Sequence, residues 1–379
     1  MADVTVLGAG AAGLAVAAQL KGRGVSCVVL ERGPGVATSW RGRYDRLRLH
    51  TVRGLSGLPG MPIPRAYGRW VRRDDLVRYL EAYAERFGLD VRTGTAVEHI
   101  KPGDGRWSLQ LADGSEHVTG TLIVATGYLH TPEVPQWPGL SSWTGRLIHS
   151  AEYRNAQPFQ GRDVLVVGPG NSGAEIATDL AEGGAASVSL AIRTPPHIVR
   201  RSTAGWPAQL NGLLLGGVLP EPVFNAIAAT MARAEVPNLS PYGLERPTEG
   251  LKTRLRTQRY VPLQDVGIVR DIVSGRVKPV AAVQGFTESS VLLADGSTTE
   301  PDVVVAATGY GTGLREMFDD PSLFDETGVP LVHGGAAARP GLYFMGYDVT
   351  LGGMLRQLAI ESRRVARAVV PTAQTRRGS

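Results

Sequence analysis

Gly8-Ala9-Gly10-Ala11-Ala12-Gly13 follows the apolar run Val4, Val6 and Leu7, and Gly168-Pro169-Gly170-Asn171-Ser172-Gly173 follows Val164 to Val167. A helix-forming stretch comes after each glycine set, which is the strand, turn and helix order a dinucleotide-binding fingerprint requires. The first glycine of a set permits a tight turn, the second lets a pyrophosphate approach the backbone, and the third lets the helix pack on the strand. The phosphate then sits at the positive end of the helix. One chain with two such fingerprints is expected to hold two dinucleotides.

The residue that closes the next strand distinguishes the two nucleotides. Cys27 to Leu30 is predicted to be a strand ending at Glu31, whose carboxylate accepts hydrogen bonds from ribose hydroxyls and repels a 2′-phosphate. The first site is therefore assigned to FAD. Val188 to Ile192 ends at Arg193, whose guanidinium can pair with a 2′-phosphate, so the second site is assigned to NADPH. A solvated cation at a strand end is the alternative reading of Arg193.

An internal repeat brackets both sites. Leu111-Ala112-Asp113-Gly114-Ser115 leads to Ala125-Thr126-Gly127-Tyr128, and Leu293-Ala294-Asp295-Gly296-Ser297 leads to Ala307-Thr308-Gly309-Tyr310 at the same spacing. The Asp-Gly pairs read as hairpin turns, and Leu122 to Val124 and Val303 to Val305 as buried parallel strands. The expected fold is α/β, with two Rossmann-like dinucleotide-binding domains of the two-dinucleotide flavoprotein type and the NADPH domain inserted into the FAD domain. Residues 1–145 and 309–379 are the expected segments of the FAD domain. Residues 146–308 are the expected NADPH domain, which carries a substrate or lid insertion at about 194–262.

Composition narrows the class. In 379 residues, a hydrophobic share of 43% with a formal charge of +5 describes a globular enzyme. The arginines are scattered, even counting Arg41, Arg43, Arg46, Arg48 and Arg53, and lack the basic stripe with interleaved aromatics of a nucleic-acid binder. Val4 to Leu20 lacks the basic flank of a signal peptide and is broken by glycines, so no membrane association and a cytoplasmic location are expected. The single cysteine, Cys27, excludes a disulfide framework and the Cys-x-x-Cys pair of a disulfide reductase. Neither a zinc motif nor a nucleophile elbow occurs, and no metal site is expected.

Between these signals, Asp74 is predicted to open a core helix carrying Leu76, Leu80, Tyr83, Ala84 and Phe87, with Gly88 as its stop. The segment from Thr194 to Pro262 is rich in proline and glycine, has a helical candidate at Val223 to Met231, and carries Arg200, Arg201, Arg254, Arg256 and Arg259. It reads as a roof over a substrate pocket, or as an extra structural subdomain. Leu342 to Met345 is a predicted strand, followed by a helix from about Gly353 to Val369. The amino end of that helix, near Met354 and Leu355, can face the flavin edge where negative charge accumulates on reduction.

The run Trp143-x-Gly145-xxx-His149-xxx-Tyr153 resembles the signature of class B flavin monooxygenases, and its final tyrosine resembles the flavin-containing monooxygenase variant. Trp143 departs from the phenylalanine usual there. Tyr44 to His50, Leu58 to Pro64, Tyr242 to Pro247 and Asp265-Val266-Gly267 are most similar to the YUCCA-type indole-3-pyruvate monooxygenases. The resemblance implies FAD, NADPH and oxygen, with a C4a-hydroperoxyflavin as oxidant acting on a small organic substrate. It covers nitrogen or sulfur oxygenation and carbonyl attack, including oxidative decarboxylation of a 2-oxo acid. A flavoprotein reductase that passes electrons from NADPH to a protein acceptor is the alternative.

Candidate FAD residues are Gly8, Gly10, Ala12, Gly13, Glu31, Arg32, Trp40, His50, Val97, Ala125, Thr126, Gly127, Met354 and Leu355. Candidate NADPH residues are Gly168, Gly170, Asn171, Ser172, Gly173, Arg193, Arg201, Thr308, Gly309 and Tyr310. His50, at the end of a predicted Tyr44 to Leu49 strand, and Asn171 are the catalytic candidates. A neutral imidazole at His50 can hydrogen-bond the peroxide or polarise a carbonyl, and a structural histidine is the other reading. His149 is expected to brace the linker between the nucleotide domains.

Overall fold

The computed structural model describes residues 3–375, which divide into two compact units; the ends of the expected FAD segments, residues 1–2 and 376–379, lie outside them. Of the described residues, the first unit holds 3–42, 51–131 and 310–375, and the second holds Arg43–His50 and Pro132–Gly309.

In the first unit, Val4–Leu7 lies between Thr121–Val124 and Val28–Leu30, with Leu342–Phe344 and Asp90–Arg92 beyond them, all parallel. The short strand Ala337–Arg339 adds an antiparallel edge. Val4–Leu7 and Thr121–Val124 are buried along their whole length, as strands of a parallel sheet covered on both faces are. Helix Ala11–Lys21 packs against helix Met354–Thr375. The core helix is Arg73–Arg86. Its first turn carries Asp74 and Asp75, favourable at the positive end of the dipole, and Gly88 follows at φ +52°.

The second unit repeats the plan. Its five parallel strands run in the order Lys278–Ala281, Ser187–Ile192, Asp163–Val167, Val303–Ala306 and Arg146–His149. Each sheet is accompanied by an antiparallel three-stranded meander, Val97–Pro102 through Thr119 in the first unit and Val283–Phe286 through Thr299 in the second. The repeat is reproduced down to the turn. Asp113 Oδ1 accepts from the backbone and hydroxyl of Ser115, and Asp295 Oδ1 does the same with Ser297. Gly114 and Gly296 take φ of +84° and +83°, left-handed values that glycine adopts without a Cβ penalty.

Three features differ from expectation. Beyond the early segment Arg43–His50, the main part of the second unit begins at Pro132 rather than near Gly145: Trp137 and Trp143 pack their rings 5.6 and 5.2 Å from Phe286, and Pro138 accepts the Phe286 N–H. Tyr44 to Leu49 is not a strand. Its backbone turns at Asp45, whose N–H donates to Arg154 and whose carboxylate holds Asn155. The segment lies on helix Asn171–Glu182, with Tyr44 in the unit's core and Arg46 paired to Asp179 and Glu182.

The insertion, finally, is built of helices Ala208–Leu215, Glu221–Glu235 and Leu251–Gln258, anchored where Ile198–Arg200 pairs with Leu263–Asp265. On Glu221–Glu235 only Phe224 is buried, so the apolar helix expected at Val223 to Met231 keeps much of its apolar surface exposed. Among the insertion's arginines, Arg254 stacks 3.9 Å from the Tyr260 ring and donates to the Pro195 carbonyl, while Arg256 pairs with Glu221. Those two brace the insertion itself.

Candidate functional site

In the first unit, Gly8 sits at φ +105°, and a Cβ there would stand 2.8 Å from the Ala125 carbonyl oxygen. A Cβ on Gly13 would overlap the Gly8 carbonyl. Gly10 is different: nothing lies within 4 Å of the place its Cβ would take. Two glycines therefore permit close backbone packing, and the third keeps space open before helix Ala11–Lys21. No side chain caps that helix, so its first N–H groups remain available to a pyrophosphate.

Glu31 holds this loop in shape. Its Oε2 accepts from Ala9 N–H and its Oε1 from Gly33 N–H, both at 2.8 Å, and the residue is 8% exposed. Each carboxylate oxygen keeps a further lone pair for ribose hydroxyls. Ala12 is buried in the fingerprint helix, and Ala37, the residue before helix Thr38–Arg41 with Trp40, takes φ 60° while its N–H donates to Ala9. That left-handed alanine is held by the same loop, a strained position that sequence reading missed. Arg32 is exposed, and Val97 begins its meander strand against the core.

Ala125 is buried, Thr126 bonds the Tyr347 hydroxyl at 3.0 Å, and Gly127 takes φ +82°. The C-terminal helix begins at Met354, with Leu355 buried behind it. Glu361 on that helix accepts the Gly346 N–H at 2.8 Å, and burial pushes its pKa up to about 7.

The second unit carries the matching loop. Gly168 sits at φ +110° with the Ala307 carbonyl oxygen 2.5 Å from a would-be Cβ, Gly173 packs against the Gly168 carbonyl, and Gly170 faces open space. Helix Asn171–Glu182 also has no side-chain cap. Asn171 bridges two backbone groups, donating to Pro262 at 3.2 Å and accepting from Gln264 at 2.8 Å. It pins the strand that closes the insertion. Arg193 follows strand Ser187–Ile192, exposed, with no hydrogen bond or ion pair among the described residues. Thr308 donates to the Glu133 carbonyl, Gly309 takes φ +102°, and Tyr310 already belongs to the first unit.

His149 braces this loop. Its Nδ1 accepts the Ala151 N–H at 3.1 Å, which leaves the proton on Nε2, 3.0 Å from the Gly309 carbonyl. Burial lowers its pKa, so the neutral ring is favoured. The other signature residues are structural as well. The Trp143 ring occupies the space a Cβ on Gly145 would need, and Tyr153 donates to Asp179 at 2.6 Å.

His50 belongs to the second unit, where its Nε2 lies 2.7 Å from Glu175 Oε1 on helix Asn171–Glu182. Glu175, which sequence reading missed, is almost fully buried, and so is Tyr44 above it. Burial, and then the Glu175 carboxylate, push the Tyr44 pKa well up. The half-buried Arg201 also faces Glu175. Desolvation lowers its pKa, the carboxylate opposes that, and Arg48 adds to it. An acid placed among Gly173, Ala174, Ile176 and Ala177 was the available signal, since a buried carboxylate requires partners.

Two cradles of this kind, each with an uncapped helix and an open middle glycine, are accompanied by a match to the flavin-binding monooxygenase-like family over residues 2–374. The chain belongs to that family. It is a flavin-dependent monooxygenase, and FAD and NADPH are the cofactors its two cradles suit. It is 36% identical to the indole-3-pyruvate monooxygenase YUCCA1 of Oryza sativa subsp. japonica over 349 residues, 90% of this chain and 86% of that one. It is 32% identical to the probable indole-3-pyruvate monooxygenase YUCCA3 of Arabidopsis thaliana, over 90% of this chain and 81% of that one.

Among solved structures of this fold, a flavin-containing monooxygenase from Stenotrophomonas maltophilia matches with a TM-score of 0.71 at 23% identity, covering 97% of this chain and 98% of that one. An oxidised steroid monooxygenase bound to NADP matches with a TM-score of 0.77 at 19% identity, over 97% and 85%. Among the described residues of this monooxygenase, no helix is long and apolar enough to cross a membrane, and no cluster of metal-ligating side chains occurs.

Proposed function

We propose that this monooxygenase uses NADPH and molecular oxygen to decarboxylate an aryl 2-oxo acid oxidatively. The observation that carries this reading is the 36% identity, over nearly the whole chain, to a relative named for indole-3-pyruvate. The balance is one 2-oxo acid, one O2, one NADPH and one proton giving the shortened carboxylic acid, CO2, NADP⁺ and water. FAD, when bound, supplies the activation of oxygen.

The residues do the rest. Gly8, Gly10, Ala12, Gly13 and Glu31 hold the pyrophosphate and ribose of FAD, with Arg32, Trp40, Val97, Ala125, Thr126, Gly127, Met354 and Leu355 as further flavin contacts. Gly168, Gly170, Ser172 and Gly173 hold the NADPH pyrophosphate, Arg193 and Arg201 answer its extra phosphate, and Asn171, Thr308, Gly309 and Tyr310 shape that pocket. His50 is the polar side chain assigned to the reacting groups. The second lone pair on each Glu31 oxygen and the open space at Gly10 and Gly170 support these assignments. We place the protein in the cytoplasm, acting on a small molecule.

Indole-3-pyruvate and phenylpyruvate, incubated with enzyme, NADPH and oxygen, should each give CO2 and the arylacetic acid at close to one per NADPH consumed. NADPH consumption that yields only hydrogen peroxide with both acids, but a sulfoxide or N-oxide with thioether or amine substrates, would move the assignment to heteroatom oxygenation.

A further inference from the structure

Glu175 has no assigned part in the proposed reaction, yet it is 4% exposed inside the second fingerprint helix and has polar groups gathered around it. The buried Tyr44 hydroxyl interacts with Glu175 and with Ser172, on the first turn of that helix. His50 Nε2 approaches the same carboxylate at 2.7 Å. All four residues lie in the second unit.

The carboxylate can only accept, so Nε2 must carry the proton of the His50 ring. In the neutral ring that leaves Nδ1 as a lone pair. Nδ1 is buried and has no hydrogen-bond partner among the described residues. A buried acceptor without a partner is costly, by about 1–3 kcal/mol, and marks a place where a ligand's donor completes the network.

We propose that Glu175 is the positioning residue for His50: it fixes the Nε2–H tautomer and so presents Nδ1 to the ligand, while Tyr44 and Ser172 tie that arrangement to the NADPH cradle. This rests on the reading of His50 and the cradle given above. It makes His50 an acceptor toward a ligand N–H or O–H group in its neutral form, and a donor only once the ring takes up a second proton. The same carboxylate favours the charged form of Arg201.

Replacing Glu175 by Gln keeps the shape but puts an N–H₂ donor among groups that need an acceptor. The ring nitrogens of His50 are read by ¹⁵N–¹H correlation spectra of the neutral imidazoles, with a His50→Asn variant to assign the resonances. In the wild-type protein the proton should sit on Nε2. In E175Q the ring should become a mixture of tautomers, and kcat for NADPH-dependent oxygenation should fall about 10-fold, with a smaller change in KM for NADPH.

Should E175Q fold poorly, Tyr44→Phe cuts the link to Ser172 and leaves the His50–Glu175 pair. Its spectrum should keep the Nε2–H form, with a smaller fall in kcat. Identical His50 spectra in wild type and E175Q, a wild-type ring protonated on Nδ1, or an unchanged kcat beside a redistributed tautomer would each overturn the assignment. The spectra need neither substrate nor turnover, so they stay readable if the 2-oxo acid proves to be the wrong substrate.

Discussion

Glu31→Arg is expected to give a folded but colourless protein. In the native chain the two Glu31 oxygens hold the Ala9 and Gly33 N–H groups at 2.8 Å, fixing the glycine loop from both sides. Arginine has no acceptor, so two buried donors lose their partners at about 1–3 kcal/mol each, and a cation replaces the group that would receive ribose hydroxyls. Both effects act on the same nucleotide. Flavin absorbance per chain after gel filtration should fall to background while far-UV circular dichroism is retained. Glu31→Gln, which keeps one acceptor oxygen, should retain part of the flavin. Stoichiometric FAD in the arginine variant would remove Glu31 from the FAD site.

Arg193→Ala is expected to separate NADPH from NADH. Arg193 is exposed and forms no ion pair among the described residues, so its removal breaks no interaction of the fold. A charge-assisted contact to the 2′-phosphate contributes about 1.5–3 kcal/mol, which corresponds to a roughly 10- to 150-fold weaker NADPH interaction. NADH lacks that phosphate and should be almost unaffected. The measurement is the nucleotide dependence of flavin reduction for both coenzymes. Equal losses for the two would make Arg193 a general contact, and no loss for either would make it a solvated strand end.

The sequence shows those features whose chemistry is local. A glycine that must avoid the Ala125 or Ala307 carbonyl is visible because only glycine fits, and the Asp113 and Asp295 turns are visible because each aspartate bonds a serine two residues on. Tyr44 to His50 escaped because its alternating pattern imitates a strand. Its Asp45 N–H bonds to the Arg154 carbonyl, and its side chains meet a helix far along the chain. The same distance hid Glu175, whose partner His50 is 125 residues away. The insertion arginines were legible as charges but not as roles. Which of them meets a tyrosine ring, a glutamate or open solvent is decided by packing that no local pattern encodes.

The central claim is that FAD and NADPH occupy two cradles of one chain and exchange a hydride there. Anaerobic titration of the purified yellow protein with NADPH tests it most directly. One equivalent of NADPH per flavin should bleach the oxidised flavin band, and admitting oxygen should restore it. A protein that holds no flavin even after reconstitution with FAD, or whose bound flavin stays oxidised under excess NADPH, would contradict it.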